Sequence, residues 1–156
     1  MIRRNHPPEH LWDLHIKYFF GSGYVSIDLD KSYLHLQAAA ELGHPVAQFF
    51  WAQALRFGDN GIIIDLPTAL TFYERSGIAG WQLGIFHEFG RLGCPVDEAV
   101  ALRHYQRAAE LGHFKAQQFL GLVHEHGFLG CAVDWDMSLK YYNDLLRNTE
   151  GSHYMQ

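Results

Sequence analysis

Histidine-rich stretches are the first feature of this sequence that could do chemistry. The chain has eleven histidines, and residues 87–90 and 124–127 read HEFG and HEHG. A zinc protease needs two histidines four residues apart on one face of a helix. His124 and His126 are only two residues apart, so their side chains leave a helix in different directions. We therefore predict no metal site, and we expect His87 and His124 to be packing residues.

Pairs of neighbouring acidic residues are a second candidate, because general acid–base catalysis uses carboxyl groups. Each pair lies at the predicted start of a helix, where carboxylates cap free amides and complement the helix dipole. The pairs are Asp28/Asp30, Asp97/Glu98 and Asp134/Asp136. We interpret them as caps. No nucleophile, base and acid form a recognisable arrangement in the sequence, so we predict a non-enzymatic protein with no catalytic residue and no cofactor.

Composition is that of a folded, mildly acidic chain. Of 156 residues, 48% are hydrophobic and 19% charged, as in an ordinary globular domain. The net charge of −5 provides no basic field for a nucleic acid. No run approaches the roughly 18 apolar residues of a membrane span, and the N-terminus lacks the apolar segment of a secretory signal. We expect a cytoplasmic protein without nucleic-acid or membrane partners.

The elements that position these residues come from an internal repeat. The segment QAAAELGHPVAQFF at 37–50 returns as QRAAELGHFKAQQF at 106–119. A shorter unit occurs four times, with a glycine three residues and an aspartate ten residues after an aromatic, histidine or leucine. Each aspartate is expected to cap the second helix of a helix–turn–helix unit. These aspartates are Asp28, Asp65, Asp97 and Asp134.

Four such units predict an all-α fold, a right-handed α-α superhelix (solenoid) of four helix–turn–helix repeats. We expect one repeat domain, 1–150, followed by a flexible C-terminal tail, 150–156. Its units are 8–44, 45–77, 78–113 and 114–149. The predicted helices are 8–21, 29–42, 45–58, 66–77, 79–91, 97–111, 114–127 and 135–148. Gly84 and Gly121 lie in mid-helix, where glycine costs about 1 kcal/mol, so another helix is expected to approach closely there.

The pattern resembles the Sel-1-like repeat (SLR) family, a relative of the tetratricopeptide repeat. The third unit carries it in Ala79, Leu83-Gly84, Gly90, Gly93, Asp97, Ala101, Tyr105, Ala108-Ala109 and Gly112. The fourth unit carries it in Ala116, Leu120-Gly121, Gly127, Gly130, Asp134 and Tyr141-Tyr142. The resemblance implies an α-solenoid that acts as an adaptor or scaffold for other proteins. Some small bacterial members of the family neutralise a toxin.

The face of each first helix that points away from its small residues is strongly apolar and aromatic. One interpretation is a concave groove that binds a partner segment, because aromatic residues dominate interface hot spots. The other is ordinary packing between repeats, and the sequence leaves both open. The predicted partner-binding residues are Phe20, Phe50, Phe57, Trp81, Ile85, Phe89, Phe119, Leu122 and His126.

The favoured function is a non-catalytic protein–protein interaction module that binds a partner protein or peptide through this face. One alternative is a cognate inhibitor, such as the immunity protein of a bacterial toxin. An alternative of another class is a small-molecule-binding or hydrolase-like enzyme that uses the histidine-rich C-terminal repeats. A last helix with exposed Tyr141, Leu145 and Leu146 also predicts a weak homodimer.

Overall fold

Eight α-helices make up almost all of the regular structure. The computed structural model describes residues 6–153 of the chain, with side chains for residues 6–149. In that part of the chain, the non-helical regular structure is a single β-bridge between Ser22 and Val25. The helices are α1 Pro8–Phe20, α2 Leu29–Glu41, α3 Pro45–Phe57, α4 Leu66–Ser76, α5 Gly80–Phe89, α6 Glu98–Glu110, α7 Phe114–His126 and α8 Trp135–His153. The all-α prediction is confirmed.

The predicted helix ends agree with the structure to within one or two residues, except at the C-terminus. There α8 continues to His153 rather than ending at 148. The predicted tail, 150–156, therefore overlaps the last turn of α8, and residues 154–156 lie outside the described residues. No described helix is both long enough and apolar enough to cross a membrane.

The chain divides between Ala79 and Gly80 into two compact units. The first unit contains the α1–α2 and α3–α4 repeats, and the second contains the α5–α6 and α7–α8 repeats. Positions in the first unit match positions 69 residues further on in the second, as the twin segments at 37–50 and 106–119 show. The internal structures of the two units can therefore be compared residue by residue.

One aspartate per repeat joins the two helices of that repeat. Its backbone N–H donates to a carbonyl in the last turns of the first helix, for example from Asp28 to Tyr18 at 2.9 Å. Its carboxylate accepts from a first-turn amide of the second helix, for example from Lys31 N–H at 3.0 Å. The carboxylate bonds recur at 3.1, 2.9 and 3.0 Å in the other three repeats. The predicted caps are thus present, and hydrogen bonds lower the pKa of Asp28 and Asp65.

Close approach of the paired helices depends on glycine facing tyrosine in the second unit. A Cβ atom added to Gly84 would lie 2.3 Å from Cε1 of Tyr105, and one added to Gly121 would lie 2.5 Å from Cε1 of Tyr142. The Tyr105 hydroxyl donates to Oε2 of Glu88 at 2.6 Å, one helical turn beyond Gly84. Burial, and then this hydrogen bond, raise the pKa of Tyr105. The expected role of the mid-helix glycines is confirmed.

In the first repeat, different residues occupy the positions where the paired helices approach each other. His15 stands in the glycine position and Leu36 in the tyrosine position, and both are buried. Nδ1 of His15 lies 2.8 Å from the Ser32 hydroxyl, and that hydroxyl donates to the His15 carbonyl at 3.0 Å. Burial, the largest effect, lowers the pKa of His15. A neutral histidine and a shorter leucine therefore replace the glycine–tyrosine pair.

The twin segments form the joints between consecutive repeats within each unit. Gly43 has φ of +95°, which lets the chain turn between α2 and α3. His44 then caps α3, since its Nδ1 accepts from Ala47 N–H at 3.1 Å. Gln48 reaches back, and its Nε2 donates to the Ala40 carbonyl at the end of α2 at 3.2 Å. His113 and Gln117 make the equivalent bonds at 3.3 and 3.1 Å. Neither the histidine cap nor the glutamine bond was predicted from the sequence.

We predict that Gly84→Ala destabilises the protein by roughly 1–2 kcal/mol, although alanine is the better helix former by about 1 kcal/mol. The added methyl group would overlap the Tyr105 ring. Urea denaturation followed by circular dichroism measures the change. In the background Tyr105→Leu, the same substitution should cost much less, because the ring is gone. An equal cost in both backgrounds would contradict the close approach.

A second prediction concerns the histidine cap of α7. The Nδ1 atom of His113 must be unprotonated to accept from Ala116 N–H. Burial first, and then the charge of Lys115, lower the pKa of His113 below the ordinary value near 6.5. The unfolded chain therefore binds the proton more tightly, so this cap contributes fully above about pH 6.5 and is lost as pH falls through the lowered value.

His113→Asn tests this, because asparagine caps a helix at any pH. Relative to wild type, the variant should gain up to about 1 kcal/mol between pH 7.5 and pH 5, measured as urea midpoints at each pH. Both proteins should still lose stability on acidification, since His15, His35 and His104 also have lowered pKa values. A constant difference between the two proteins across this range would rule out a titrating cap.

Candidate functional site

An aromatic groove lies on the first unit, between α1, α2, α3 and the turn that follows α3. We call it the first-unit groove. Its volume is about 260 Å³, and its lining is mostly apolar. The lining residues are Trp12, His15, Ile16, Phe19, Phe20, Tyr33, Leu36, Phe50, Gln53 and Asp59.

Ring contacts hold the walls of this groove in place. The Trp12 ring centroid lies 5.7 Å from that of Phe50 and 5.3 Å from that of His44, the residue that caps α3. Phe19 and Phe20 meet edge to face at 4.9 Å. The contacts of Trp12 link α1 to the start of α3 and fix the position of its ring.

Two of the predicted site residues line the groove, and a third lies outside its lining. Phe20 is 68% exposed and Phe50 is 43% exposed. Single exposed apolar residues are ordinary, so the informative observation is that both rings border one cleft. Phe57 is also exposed, but its ring lies 4.6 Å from the guanidinium of Arg56.

Asp59 is the one acidic residue among the described residues that line the groove, and its carboxylate gives the groove a negative charge. Burial raises the pKa of Tyr33, and the negative charge of Asp59 raises it further. Because burial lowers the pKa of His15, this histidine is neutral near pH 7. The groove is therefore aromatic and carries negative charge at its edge.

The second-unit residues equivalent to Trp12, Ile16 and Phe50 are partly buried. Trp81, Ile85 and Phe119 pack against the buried cluster that includes Tyr105 and Leu120. Tyr105 lies between two of the rings, with centroids 5.1 Å from Trp81 and 4.9 Å from Phe119. These three residues contribute to the core, as the packing interpretation predicts, and each keeps a partly exposed edge.

A more open depression of about 390 Å³ remains on the second unit. Leu122 lies there beside Phe114 and Lys115. Outside this depression, Phe89 is 59% exposed beside the guanidinium of Arg91, whose carbon lies 5.4 Å from the ring centroid. His126 is exposed, stacks on Phe128 at 5.4 Å and has Nδ1 3.2 Å from the Leu122 carbonyl of its own helix.

The floor of the cleft differs between the two units because Leu36 stands where the second unit has Tyr105. In the second unit the tyrosine ring packs on both Trp81 and Phe119. In the first unit Trp12 and Phe50 contact each other, and the shorter Leu36 forms part of the groove lining. Phe19 also stands in the position of Glu88, the acceptor of the tyrosine hydroxyl. The core residue and its polar partner therefore change together between the units.

His87 of the HEFG motif and His124, the first histidine of the HEHG motif, pack inside their own repeats. His87 stacks on His104 at 5.5 Å, and His124 stacks on Tyr141 at 5.7 Å. Tyr18 and His35 make the equivalent stack at 5.6 Å in the first repeat. Within the described residues, no group of three or more His, Cys, Asp or Glu side chains is placed to hold a metal ion.

Tyr33 and Asp59 are among the groove residues that were not predicted from the sequence, and the exposure of one residue of the last helix was predicted wrongly. Tyr33 lies on a second helix and Asp59 in the turn Asp59–Gly61, whereas only the faces of the first helices were considered. Tyr141 was expected to be exposed, but it is buried because its ring packs on His124. Leu146 is exposed, as expected.

Comparison with known proteins identifies the repeats. The family model described as Sel1 repeat matches residues 18–44, 45–81, 77–113 and 114–143. The chain is also 32% identical, over 98 residues, to Uncharacterized protein NMB1327 of Neisseria meningitidis serogroup B. That match covers 60% of this chain and 20% of the relative, so the chain spans about a fifth of the curated relative's length.

Two solved structures share the fold across 90% of this chain. One is a Sel1 repeat protein from Oxalobacter formigenes, with 29% identity, a TM-score of 0.78 and 58% of its own length covered. The other is c5321, a protective antigen present in uropathogenic Escherichia coli strains displaying an SLR fold, with 25% identity, a TM-score of 0.74 and 30% covered. The predicted repeat-solenoid fold class is confirmed by these likenesses.

Two phenylalanines on α5, three residues apart, differ sharply in exposure. Phe86 is 1% exposed, whereas Phe89 is 59% exposed. We predict that Phe86→Ala lowers the free energy of unfolding by about 3–5 kcal/mol and that Phe89→Ala changes it by less than about 0.5 kcal/mol. Thermal and urea denaturation of both variants check this. A large loss of stability in Phe89→Ala would show that its ring is core rather than binding surface.

Proposed function

Because this chain belongs to the Sel1 repeat family, whose members generally mediate protein–protein interaction, we propose that it binds a segment of another protein through the first-unit groove. Phe20 and Phe50 supply the exposed aromatic edges of the groove. The single observation that carries the proposal is this exposed, pre-formed aromatic cleft in a protein of an interaction family.

The energetics of the groove favour binding. Burial of aromatic surface in a pre-formed cleft removes apolar area from water without the cost of ordering a loop. Trp12 is already fixed by its contacts with Phe50 and His44, so little of its freedom is left to lose. Interfaces also concentrate their binding energy in a few aromatic anchors.

The remaining predicted partner-binding residues extend the proposal to each unit separately. Phe57 contributes exposed surface on the first unit. On the second unit, the predicted contacts are Trp81, Ile85, Phe89, Phe119, Leu122 and His126. The cognate-inhibitor form of the proposal differs only in the identity of the partner and uses the same surfaces. The homodimer prediction now rests on the exposed Leu146 and the half-exposed Leu145.

A peptide selection tests the proposed function. The intact chain is immobilised, and binders are selected from a random-peptide display library. The affinity of each binder is then measured by fluorescence anisotropy. Phe20→Ala and Phe50→Ala should each weaken binding at least tenfold, since aromatic hot-spot truncations typically cost 2 kcal/mol or more.

Leu139→Ala is the matched control, because Leu139 is an exposed apolar residue on α8 of the second unit. It should leave the affinity unchanged. Circular dichroism verifies that all three variants are folded. If the selected peptides bind all variants as well as wild type, the groove is not the binding surface and the proposal is wrong.

A further inference from the structure

We propose that the first-unit groove selects an arginine side chain of its protein partner, with the guanidinium stacked on the aromatic wall and paired with Asp59. This inference rests on the proposed function, because it names the chemistry of the partner segment that enters the same groove. It is carried by the combination of aromatic faces and a carboxylate in one cleft.

The aromatic part of the groove offers the surface that an organic cation prefers. Trp12, Phe50, Phe19, Phe20 and Tyr33 all line it. Trp12 lies nearly parallel to Phe50, with ring planes 24° apart and centroids 5.7 Å apart, and it also stacks on His44. Phe20 and Phe50 have the most exposed rings of this aromatic wall. A cation over the face of such a ring is attracted by its quadrupole.

The charge of the groove has the sign that a cation requires. Asp59 is exposed at the edge of the groove, and its negative charge raises the pKa of Tyr33, which lines the same groove. The ion pairs Lys31–Asp28 and Arg147–Asp144 lie outside the groove lining. His15 adds no positive charge near pH 7, because its burial disfavours the protonated form.

The equivalent positions of the second unit lack this combination. Where the first unit has Tyr33, Gln53 and Asp59, the second has Leu102, Leu122 and Phe128. The charged residue in the second-unit depression is Lys115, of the opposite sign. Of these two clefts, the first-unit groove is therefore the one with acidic character.

Arginine fits this site better than lysine. Its planar guanidinium stacks on aromatic faces, is weakly hydrated and bonds a carboxylate through two parallel N–H groups. The ammonium of lysine is a compact, strongly hydrated charge that loses more on entering an apolar cleft. A groove of about 260 Å³ also accommodates the three-carbon stem together with a neighbouring apolar side chain.

The experiment uses the peptides selected on the intact chain whose binding is weakened by Phe20→Ala. We expect these peptides to be enriched in arginine next to apolar residues. One such peptide is then synthesised with arginine and with citrulline, its neutral planar isostere, and both are titrated against wild type and Asp59→Asn. The arginine peptide should bind Asp59→Asn roughly tenfold more weakly, as expected for loss of a charge-assisted hydrogen bond, while the citrulline peptide should lose less than twofold.

Glu74→Gln is the control for net charge, because Glu74 is an exposed carboxylate on α4 outside the groove lining. It should leave both affinities unchanged. In NMR spectra, the arginine peptide should shift the indole resonance of Trp12. At a saturating peptide concentration, the indole resonances of Trp81 and Trp135 should not shift.

The outcomes separate the inference from the proposed function. The inference would be overturned if the groove-binding peptides were not enriched in arginine. It would also be overturned if Asp59→Asn reduced the affinities of the arginine and citrulline peptides equally. Either result would leave the proposed function standing. A set of binders insensitive to both Phe20→Ala and Phe50→Ala would overturn both. A shift of Trp81 in place of Trp12 would place the arginine on the second unit and also overturn the inference.

Discussion

Each repeat of this protein depends on one aspartate that bonds to both of its helices. The backbone N–H of Asp28 holds the end of α1, and its carboxylate holds the start of α2. The same two bonds recur at Asp65, Asp97 and Asp134. Because a backbone donor and a side-chain acceptor of one residue serve two helices, the turn between them has a fixed length. That length explains why the aspartate lies ten residues after the same first-helix position in every repeat.

Because the turn has a fixed length, the volume of the side chains between the paired helices determines which other side chains are exposed. The sides of the first helices that face their partners carry small residues such as Gly84 and Ala52, because tyrosines of the second helices occupy the space. The bulky residues of the first helices are therefore left on the opposite side. In the first repeat, Leu36 stands in the tyrosine position and His15 in the glycine position, and the aromatic residues of α1 line the first-unit groove.

Most of the fold could be predicted from the sequence because its determinants are local. Apolar spacing, the aspartate caps and the glycines after each helix fix the helix bounds within a few neighbouring residues. The joints were harder to predict. A histidine that caps a helix through Nδ1, as His44 does, looks like any loop histidine in the sequence, and the Gln48 bond to Ala40 depends on the angle between two helices.

The candidate site was only partly predictable, since it depends on contacts between repeats. Phe20 and Phe50 were identified from their helical face, but Tyr33 and Asp59 come from elements that this face does not include. Sequence also could not separate Phe50, which remains 43% exposed, from its counterpart Phe119, which packs against Tyr105. The difference lies in a third residue, leucine or tyrosine, on another helix. In a repeat protein, equivalent surface positions can thus differ in exposure when the core residue beneath them differs.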